Sequence, residues 1–306
     1  MRHFQSLLAC LCVGIFAYLA PAEEPKIIEP TPLQLKAVKE ACKDLKATFR
    51  EDFDSNTKQT RRLIQMPPRF TNDAYLEKLP DIPFPFGLSL EGAHITDAGI
   101  KELKRQKQLV GLDLAFTEVS DEGLRELAAI PHLKGLSLRH TKITDAGLRE
   151  IKRLNRLDGL FLDGTNITDI GMAPLGDMKQ LISLSLFRTS VTDAGLKELK
   201  GLKLLVYLDL NDTKITDTGL GELKDLKQLV ELQLNTTDIN DTGMKVVGEF
   251  TQLQRLYLNE TRVTDQGIKQ LKGLKKLKTL SIILTNVTKE GVKELQSALP
   301  ACDIIH

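Results

Sequence analysis

Histidine and cysteine are the residue types of this chain that most often support catalysis or metal binding. The chain has five histidines and four cysteines. His94, His132 and His140 lie at unrelated spacings, so no His–Cys or His–Ser pair with a fixed geometry is implied. The sequence carries no phosphate-binding loop, no G-x-S-x-G elbow and no paired-cysteine zinc spacing. We therefore predict a protein that is not an enzyme and that needs no cofactor.

Aspartates that recur every 24 residues form a second candidate for chemistry. They are Asp97, Asp121, Asp145, Asp169, Asp193, Asp217, Asp241 and Asp265. If they stacked at strand spacing, roughly 5 Å, such a ladder of carboxylates could share cations. Lys289 replaces the aspartate in the last unit without disturbing the pattern. We therefore favour the interpretation that each aspartate caps or complements the start of its own helix, and we predict no metal site.

A 24-residue repeat that begins at Gly87 positions these side chains. Nine units follow one another without insertion, with Leu at position two, a β-branched residue at position nine and Gly at position thirteen. Alternating leucines predict a strand, and the following Thr-Asp predicts a capped turn of helix. No unit can bury its apolar side alone, so stacking must build a continuous leucine core. Such a core explains why only 5% of residues are aromatic and why Trp is absent.

The pattern L-x-x-L-x-L-x-x-T-x-[IV]-[TS]-D-x-G resembles the leucine-rich repeat family, and its TD-x-G-L form resembles repeats of secreted or envelope-associated bacterial proteins. The resemblance covers residues 87–302. It implies an α/β solenoid, a horseshoe arc with parallel strands on the concave face and short helices on the convex face. Thr replaces the usual Asn of the family ladder, and we interpret this threonine column as structural. Its members are Thr117, Thr141, Thr165, Thr189, Thr213, Thr237, Thr261 and Thr285.

The regions outside the repeats have different roles. Residues 1–22 combine Arg2, an apolar run and Ala20-Pro21-Ala22, which predicts a signal peptide cleaved after Ala22 and a secreted or periplasmic protein. Residues 23–86 are predicted to be a helical N-terminal cap and a Pro-rich lead-in, with a helix from Thr31 to roughly Phe53 and a polar loop over 55–62. Residues 303–306 are predicted to be a C-terminal cap strand. No transmembrane segment is expected after signal cleavage.

Partner binding is expected where the repeat does not dictate the side chain, at positions one, three, five and six. Five of the six aromatic residues of the repeats occupy these positions, and exposed aromatic residues beside Arg are typical of binding surfaces. We predict a central patch of three rings with three basic neighbours and a weaker second contact, although the rings could instead pack only on one another. The residues are Phe161, Phe187, Tyr207, Arg139, His140 and Arg188, then Tyr257 and Arg255, with Phe116 as a further exposed ring.

The sequence therefore predicts an exported recognition scaffold. We expect a monomer that binds a protein or peptide, or a glycan, through the concave face. The alternative is a structural or assembly component of the envelope or matrix without a discrete ligand site. The net charge of +1 and the mixed charges of the predicted helical face argue against a nucleic-acid partner.

Overall fold

A computed structural model describes residues 29–54 and 59–306. The predicted signal peptide, residues 1–22, lies outside the described residues. The chain divides after Leu160 into two compact units, called unit 1 and unit 2 below. Strand β6 (Gly159–Phe161) lies at the division.

Unit 1 begins with a helix and a two-stranded ribbon and continues with repeats of one strand and one short helix. Its helices are α1 (Pro32–Asp44), α2 (Asp73–Leu76), α3 (Asp97–Leu103), α4 (Asp121–Leu127) and α5 (Asp145–Ile151). Its strands before the division are β1 (Thr48–Asp54), β2 (Gln59–Gln65), β3 (Phe86–Ser89), β4 (Leu109–Asp113) and β5 (Gly135–Ser137). Strands β1 and β2 are antiparallel, whereas β2 to β5 pair in parallel in chain order.

The N-terminal segment differs from its prediction after the first helix. Thr31 caps α1 and forms a capping box with Gln34, as expected, but the helix ends at Asp44 and not near Phe53. Lys46 adopts a left-handed φ of 51°, and the Ala47 amide donates to the Cys42 carbonyl, which closes the helix with a Schellman-type turn. Strand β1 takes the place of the expected helix end, and β2 takes the place of the predicted loop over residues 59–62. The prediction was wrong over these two stretches, and residues 55–58 of the predicted loop lie outside the described residues.

Unit 2 contains only repeat elements. Its α-helices are α6 (Ala173–Gly176), α7 (Asp193–Leu196), α8 (Asp217–Glu222), α9 (Asp241–Val247), α10 (Asp265–Ile268) and α11 (Lys289–Ala298). Its 3₁₀ turns are Asp169–Met172, Lys197–Gly201 and Lys269–Gly273. Its strands after the division are β7 (Ser183–Ser185), β8 (Tyr207–Asp209), β9 (Glu231–Gln233), β10 (Arg255–Tyr257), β11 (Thr279–Ser281) and β12 (Asp303–Ile305).

Strands β7 to β12 are parallel neighbours in chain order, and the same repeat position lies opposite itself in each pair. Strand β12 occupies the segment where the sequence indicates a terminal strand, and Cys302 beside it is buried. Each repeat strand of unit 2 spans only positions one to three, so positions five and six fall beyond it.

Leucine ladders fill the interior of both units, as the repeat predicts. Leu88 and Leu112 are buried in unit 1, and Leu208 and Leu232 are buried in unit 2. The threonine column is structural: from Thr117 onward, each hydroxyl donates to the carbonyl three residues earlier, at 2.5 to 2.7 Å. These bonds satisfy a carbonyl of the turn that the strand ladder leaves open.

The aspartate column links neighbouring repeats. In unit 2, Asp193 opens α7, but its two carboxylate oxygens accept from the backbone N and the hydroxyl of Thr216 in the next repeat, at 2.8 and 2.6 Å. The cap of α7 itself is the hydroxyl of Thr192. The expectation that each aspartate serves its own helix was therefore incomplete, because the carboxylate bonds the following unit.

The same contact explains the glycine at position thirteen. A Cβ added to Gly219 would lie 2.3 Å from Oδ1 of Asp193, far inside van der Waals contact. Gly243 faces Asp217 in the same way, with 2.5 Å to the corresponding oxygen. Glycine is needed here because the carboxylate of the preceding repeat approaches the helix backbone closely.

Candidate functional site

The candidate site is the face of the sheet opposite the leucine core. We call it the open strand face: it carries positions one and three of the strands and position five just beyond them. Tyr207 and Arg255 take position one of β8 and β10, and Tyr257 takes position three of β10. Phe187 and Arg139 take position five. These five residues lie on the columns that the sequence analysis assigned to them, with Arg139 in unit 1 and the others in unit 2.

The three site residues at position six occupy turns and not strands. Phe116, His140 and Arg188 have left-handed φ values of 57°, 51° and 54°. This conformation turns the chain away from the strand direction, so position six is not a fourth column of the open strand face. Phe116 is 53% exposed and stacks on His140, with ring centroids 4.6 Å apart. Arg188 pairs with the exposed Asp212 at 3.1 Å. Position six therefore lies in the turn after the strand, and the role of these three residues in partner binding stays a prediction.

Phe161 is far less accessible than the sequence suggested. Its side chain is only 6% exposed, and its ring lies 6.4 Å from the ring of Tyr207, centroid to centroid. The alternative that the rings pack on one another therefore holds for this pair. Phe187, Tyr207 and Tyr257 are half-buried, so each presents part of its ring on the open strand face of unit 2.

A polar network that the sequence did not reveal surrounds Tyr207. Its hydroxyl donates to Asp209, and Gln233 donates to that same hydroxyl, both at 3.3 Å. Gln233 also donates to Glu231 at 2.8 Å and accepts from the Asn211 amide at 2.7 Å. Glu231 in turn accepts from Arg255. The network spans β8 to β10 and holds the side chains of the open strand face in fixed rotamers.

Burial and like charges raise the pKa of Asp209 and of Tyr207 in this network. Burial raises the pKa of Asp209 to about 7, and the charges of Asp163 and Glu231 act in the same direction. The backbone amide of Asn211 and the hydroxyl of Tyr207 partly oppose the shift of the Asp209 pKa. The pKa of Tyr207 is raised well above its usual value, first by burial and then by the charge of Asp209. The hydroxyl of Tyr207 therefore stays protonated and donates at neutral pH.

An asparagine ladder at position five fixes the turns of unit 2. The Asn211 side-chain oxygen accepts from the backbone N of Asn235, and Asn235 accepts from Asn259, at 2.6 and 2.8 Å. Asn259 then accepts from the backbone N of Ile283 and from Ser281. The spacing of 24 residues between the asparagines was the sequence signal for this ladder.

The comparisons with known proteins agree with this architecture. A family model described as Leucine Rich repeat matches residues 109–128, 129–152 and 202–224. These matched segments show that the chain contains leucine-rich repeats. Among solved structures, an internalin, InlF, from Listeria monocytogenes is similar, with a TM-score of 0.60 and 24% identity over 76% of this chain and 69% of that one. Internalin C2 from the same organism gives a TM-score of 0.53 and 23% identity over 87% of this chain and 100% of that one.

These similarities show the leucine-rich repeat fold. A search of curated proteins finds no match. Within the described part of the chain, none of the helices of this leucine-rich repeat protein has the length and apolar character needed to cross a bilayer.

The aspartates and cysteines that the sequence offered as candidates for chemistry are part of the leucine-rich repeat framework. The carboxylates of the aspartate column accept hydrogen bonds from the next repeat, and no cluster of three or more metal-ligating side chains occurs among residues 29–54 and 59–306. The two thiols in this part of the chain, Cys42 and Cys302, are free and buried, and burial raises the pKa of each to about 11. Both cysteines are therefore protonated and unreactive at neutral pH.

Proposed function

We propose that this leucine-rich repeat protein is an exported, non-catalytic recognition protein that binds a protein or peptide through the open strand face of unit 2. One observation carries the proposal: Phe187, Tyr207 and Tyr257 are partly exposed on a surface where the leucine core needs no aromatic residue. Aromatic residues dominate the energetics of protein interfaces because they bury large areas at a low conformational cost.

The hydrogen-bond network around Tyr207 supports a recognition role. Tyr207, Gln233 and Glu231 restrain one another, and the asparagine ladder restrains the turns beside them. A surface whose rotamers are already fixed loses little entropy when a partner binds. The other predicted site residues, Phe161, Arg139, His140 and Arg188 among them, remain part of the proposal as further contacts.

A capture experiment tests the proposal. The purified protein without residues 1–22 is used as bait for extracytoplasmic proteins of the source organism, and bound proteins are identified by mass spectrometry. We expect the combined variant Phe187→Ala, Tyr207→Ala and Tyr257→Ala to lose the partner. The matched control combines Ile170→Ala and Leu204→Ala, because these exposed apolar residues of unit 2 lie outside the open strand face, and it should keep the partner.

The opposite result would favour the structural or assembly role. Ile283, Leu284 and Ile305 are exposed apolar residues at the end of unit 2 and offer a surface for self-association. If the strand-face variant retains every partner and light scattering shows a mass that rises with concentration, the recognition proposal fails. The intact mass of the secreted protein tests export, since cleavage after Ala22 removes a defined mass.

A further inference from the structure

Unit 1 carries a row of glycines on its open strand face, and the fold does not require glycine at two of them. Position one is Gly87 in β3, Gly111 in β4 and Gly135 in β5, and none of the three has a positive φ. A Cβ added to Gly135 would meet nothing within 4 Å, and one added to Gly111 would meet only the Cα of Gly87 at 3.8 Å. Neither backbone conformation nor crowding explains Gly111 and Gly135. Gly111 and Gly135 leave a stretch of backbone with free space above it, which we call the glycine floor, whereas a Cβ added to Gly87 would lie 3.3 Å from the side chain of Leu63.

A row of polar side chains borders this floor at position three. Ser89, Asp113 and Ser137 lie opposite one another in register on β3, β4 and β5. They are 3%, 6% and 5% exposed. One oxygen of Asp113 accepts from the backbone N of Ala115 at 3.1 Å. The hydroxyls of Ser89 and Ser137 have no hydrogen-bond partner among the described residues.

Two buried hydroxyls without partners are costly unless a bound group satisfies them. A buried polar atom without a hydrogen bond destabilises the folded protein, and such atoms are therefore rare in folded proteins. Here the two hydroxyls flank a buried carboxylate symmetrically, one strand to each side. The arrangement of hydroxyl, carboxylate and hydroxyl indicates a ligand that donates several hydrogen bonds in one plane and carries positive charge.

The spacing of the row favours a guanidinium group over an ammonium group. Neighbouring strands lie about 4.8 Å apart, so the three side chains span more than one ammonium can reach. A guanidinium presents five N–H donors in a planar fork: two can face the carboxylate and the outer ones can face flanking acceptors. Glu91 and Arg139 stand at position five of the same face, so these two and Asp113 leave one excess negative charge.

We propose that unit 1 contains a subsite for one arginine side chain of the bound protein or peptide, with its stem over the glycine floor and its guanidinium on Ser89, Asp113 and Ser137. This inference rests on the proposed recognition function and adds the chemistry of one partner residue. Burial and then the charge of Asp113 raise the pKa of Glu91, and the charge of Arg139 partly opposes this shift.

The test uses the same protein as the capture experiment, residues 23–306, and the small probes N-acetyl-arginine methylamide and N-acetyl-lysine methylamide. Backbone amide shifts in a ¹⁵N-labelled sample are followed during titration, with Gly111 and Gly135 as reporters. We expect saturable shifts of both glycine amides with the arginine probe and at least fivefold weaker binding of the lysine probe. Equal binding of the two probes, or no saturable shift with arginine, would overturn the inference.

Variants separate a built subsite from adventitious binding. Asp113→Asn keeps an acceptor for the Ala115 amide but removes the charge. It should lower the affinity for the arginine probe about tenfold, as expected for the loss of a charge-assisted hydrogen bond. Gly135→Ala places a methyl group in the open space above the glycine floor and should lower the affinity for the arginine probe at least threefold. The control is Asp225→Asn, an exposed acidic residue of unit 2 that pairs with Lys203 away from the open strand face, which should leave the affinity unchanged.

The two proposals fail in distinguishable ways. If the arginine probe binds Asp113→Asn and the wild type equally, the subsite is wrong, whatever the capture experiment shows. If the probe binds as expected but the strand-face variant of unit 2 keeps its partner, the subsite stands and the aromatic centre of the proposed function falls. If a double variant of Ser89→Ala and Ser137→Ala binds the probe as well as the wild type does, the two hydroxyls bond to buried water and not to the probe. That result would overturn the subsite.

Discussion

The open strand faces of unit 1 and unit 2 are built from the same repeat, yet they differ in how completely their polar groups are satisfied. In unit 2, position one carries Tyr207, Glu231 and Arg255, whose side chains take part in hydrogen bonds with their neighbours. In unit 1 the same position is glycine, and the hydroxyls of Ser89 and Ser137 lack partners within the described chain. The side chains of unit 2 are held by hydrogen bonds to one another, whereas unit 1 presents glycines beside two hydroxyls that have no partner among the described residues.

The difference shows which residues the solenoid needs. The leucine ladder, the threonine bonds and the aspartate links recur in both units with nearly the same geometry. These columns build the framework, and substitutions there should affect stability wherever they are made. The open strand face is free of that requirement, so its composition reflects function more than folding.

The largest expected effect comes from comparing two glycines. Gly219→Ala places its methyl carbon 2.3 Å from Oδ1 of Asp193, whereas at Gly135 an added methyl meets nothing within 4 Å. We expect Gly219→Ala to lower the free energy of unfolding by about 3 kcal/mol, because overpacking displaces a hydrogen-bonded carboxylate. Gly135→Ala should be neutral or stabilising by up to about 1 kcal/mol, since Ala restricts the unfolded chain.

Urea unfolding of the two glycine variants followed by circular dichroism measures both free energies. Asp193→Ala serves as the control for the clash. The double variant of Asp193→Ala and Gly219→Ala should lose less free energy of unfolding than the two single variants lose together, because the oxygen that collides with the added methyl group is gone. Equal destabilisation by Gly219→Ala and Gly135→Ala would contradict the division between framework and face.

The second prediction concerns the acidic network of unit 2. The pKa of Asp209 is about 7 in the folded protein because the carboxyl group is buried beside Asp163 and Glu231, whereas an unfolded Asp titrates near about 3.9. The folded state thus holds the proton more tightly. The contribution of this bound proton to the free energy of unfolding is fully present below about pH 4 and is lost as the pH rises through about 7.

Asp209→Asn removes this dependence and keeps an oxygen that can accept from the Asn211 amide. We expect the variant to be more stable than the wild type above pH 7, by on the order of 2 kcal/mol, with the difference shrinking toward pH 4. Thermal unfolding at pH 4, 6 and 8 measures it. Asp212→Asn, an exposed position in the same unit, is the control and should change little at any pH. A constant difference across this range would refute the assignment to Asp209.

The sequence predicted the framework well because each of its columns recurs every 24 residues. It failed where the structure depends on contacts outside one repeat. Phe161 is largely buried partly because Tyr207 packs near it, and the carboxylate of Asp193 bonds Thr216 in the following unit. Phe116 was placed on a strand because period-two alternation cannot show where a strand ends. The chain after Asp44 was read as helix because a left-handed Lys46 leaves no signal in helical periodicity.

The smallest expected effect compares serines at position three of the two units. Ser185 donates its hydroxyl to Asp163, so Ser185→Ala leaves a buried carboxylate short of a donor and should cost about 1–2 kcal/mol in the free energy of unfolding. Ser89→Ala and Ser137→Ala remove hydroxyls that have no partner in the described structure, so each should be neutral or stabilising by up to about 1 kcal/mol. Urea unfolding of the three single variants decides the comparison. If Ser137→Ala costs as much as Ser185→Ala, the hydroxyl of Ser137 serves the fold itself, and the contrast between a satisfied face and an unsatisfied one disappears.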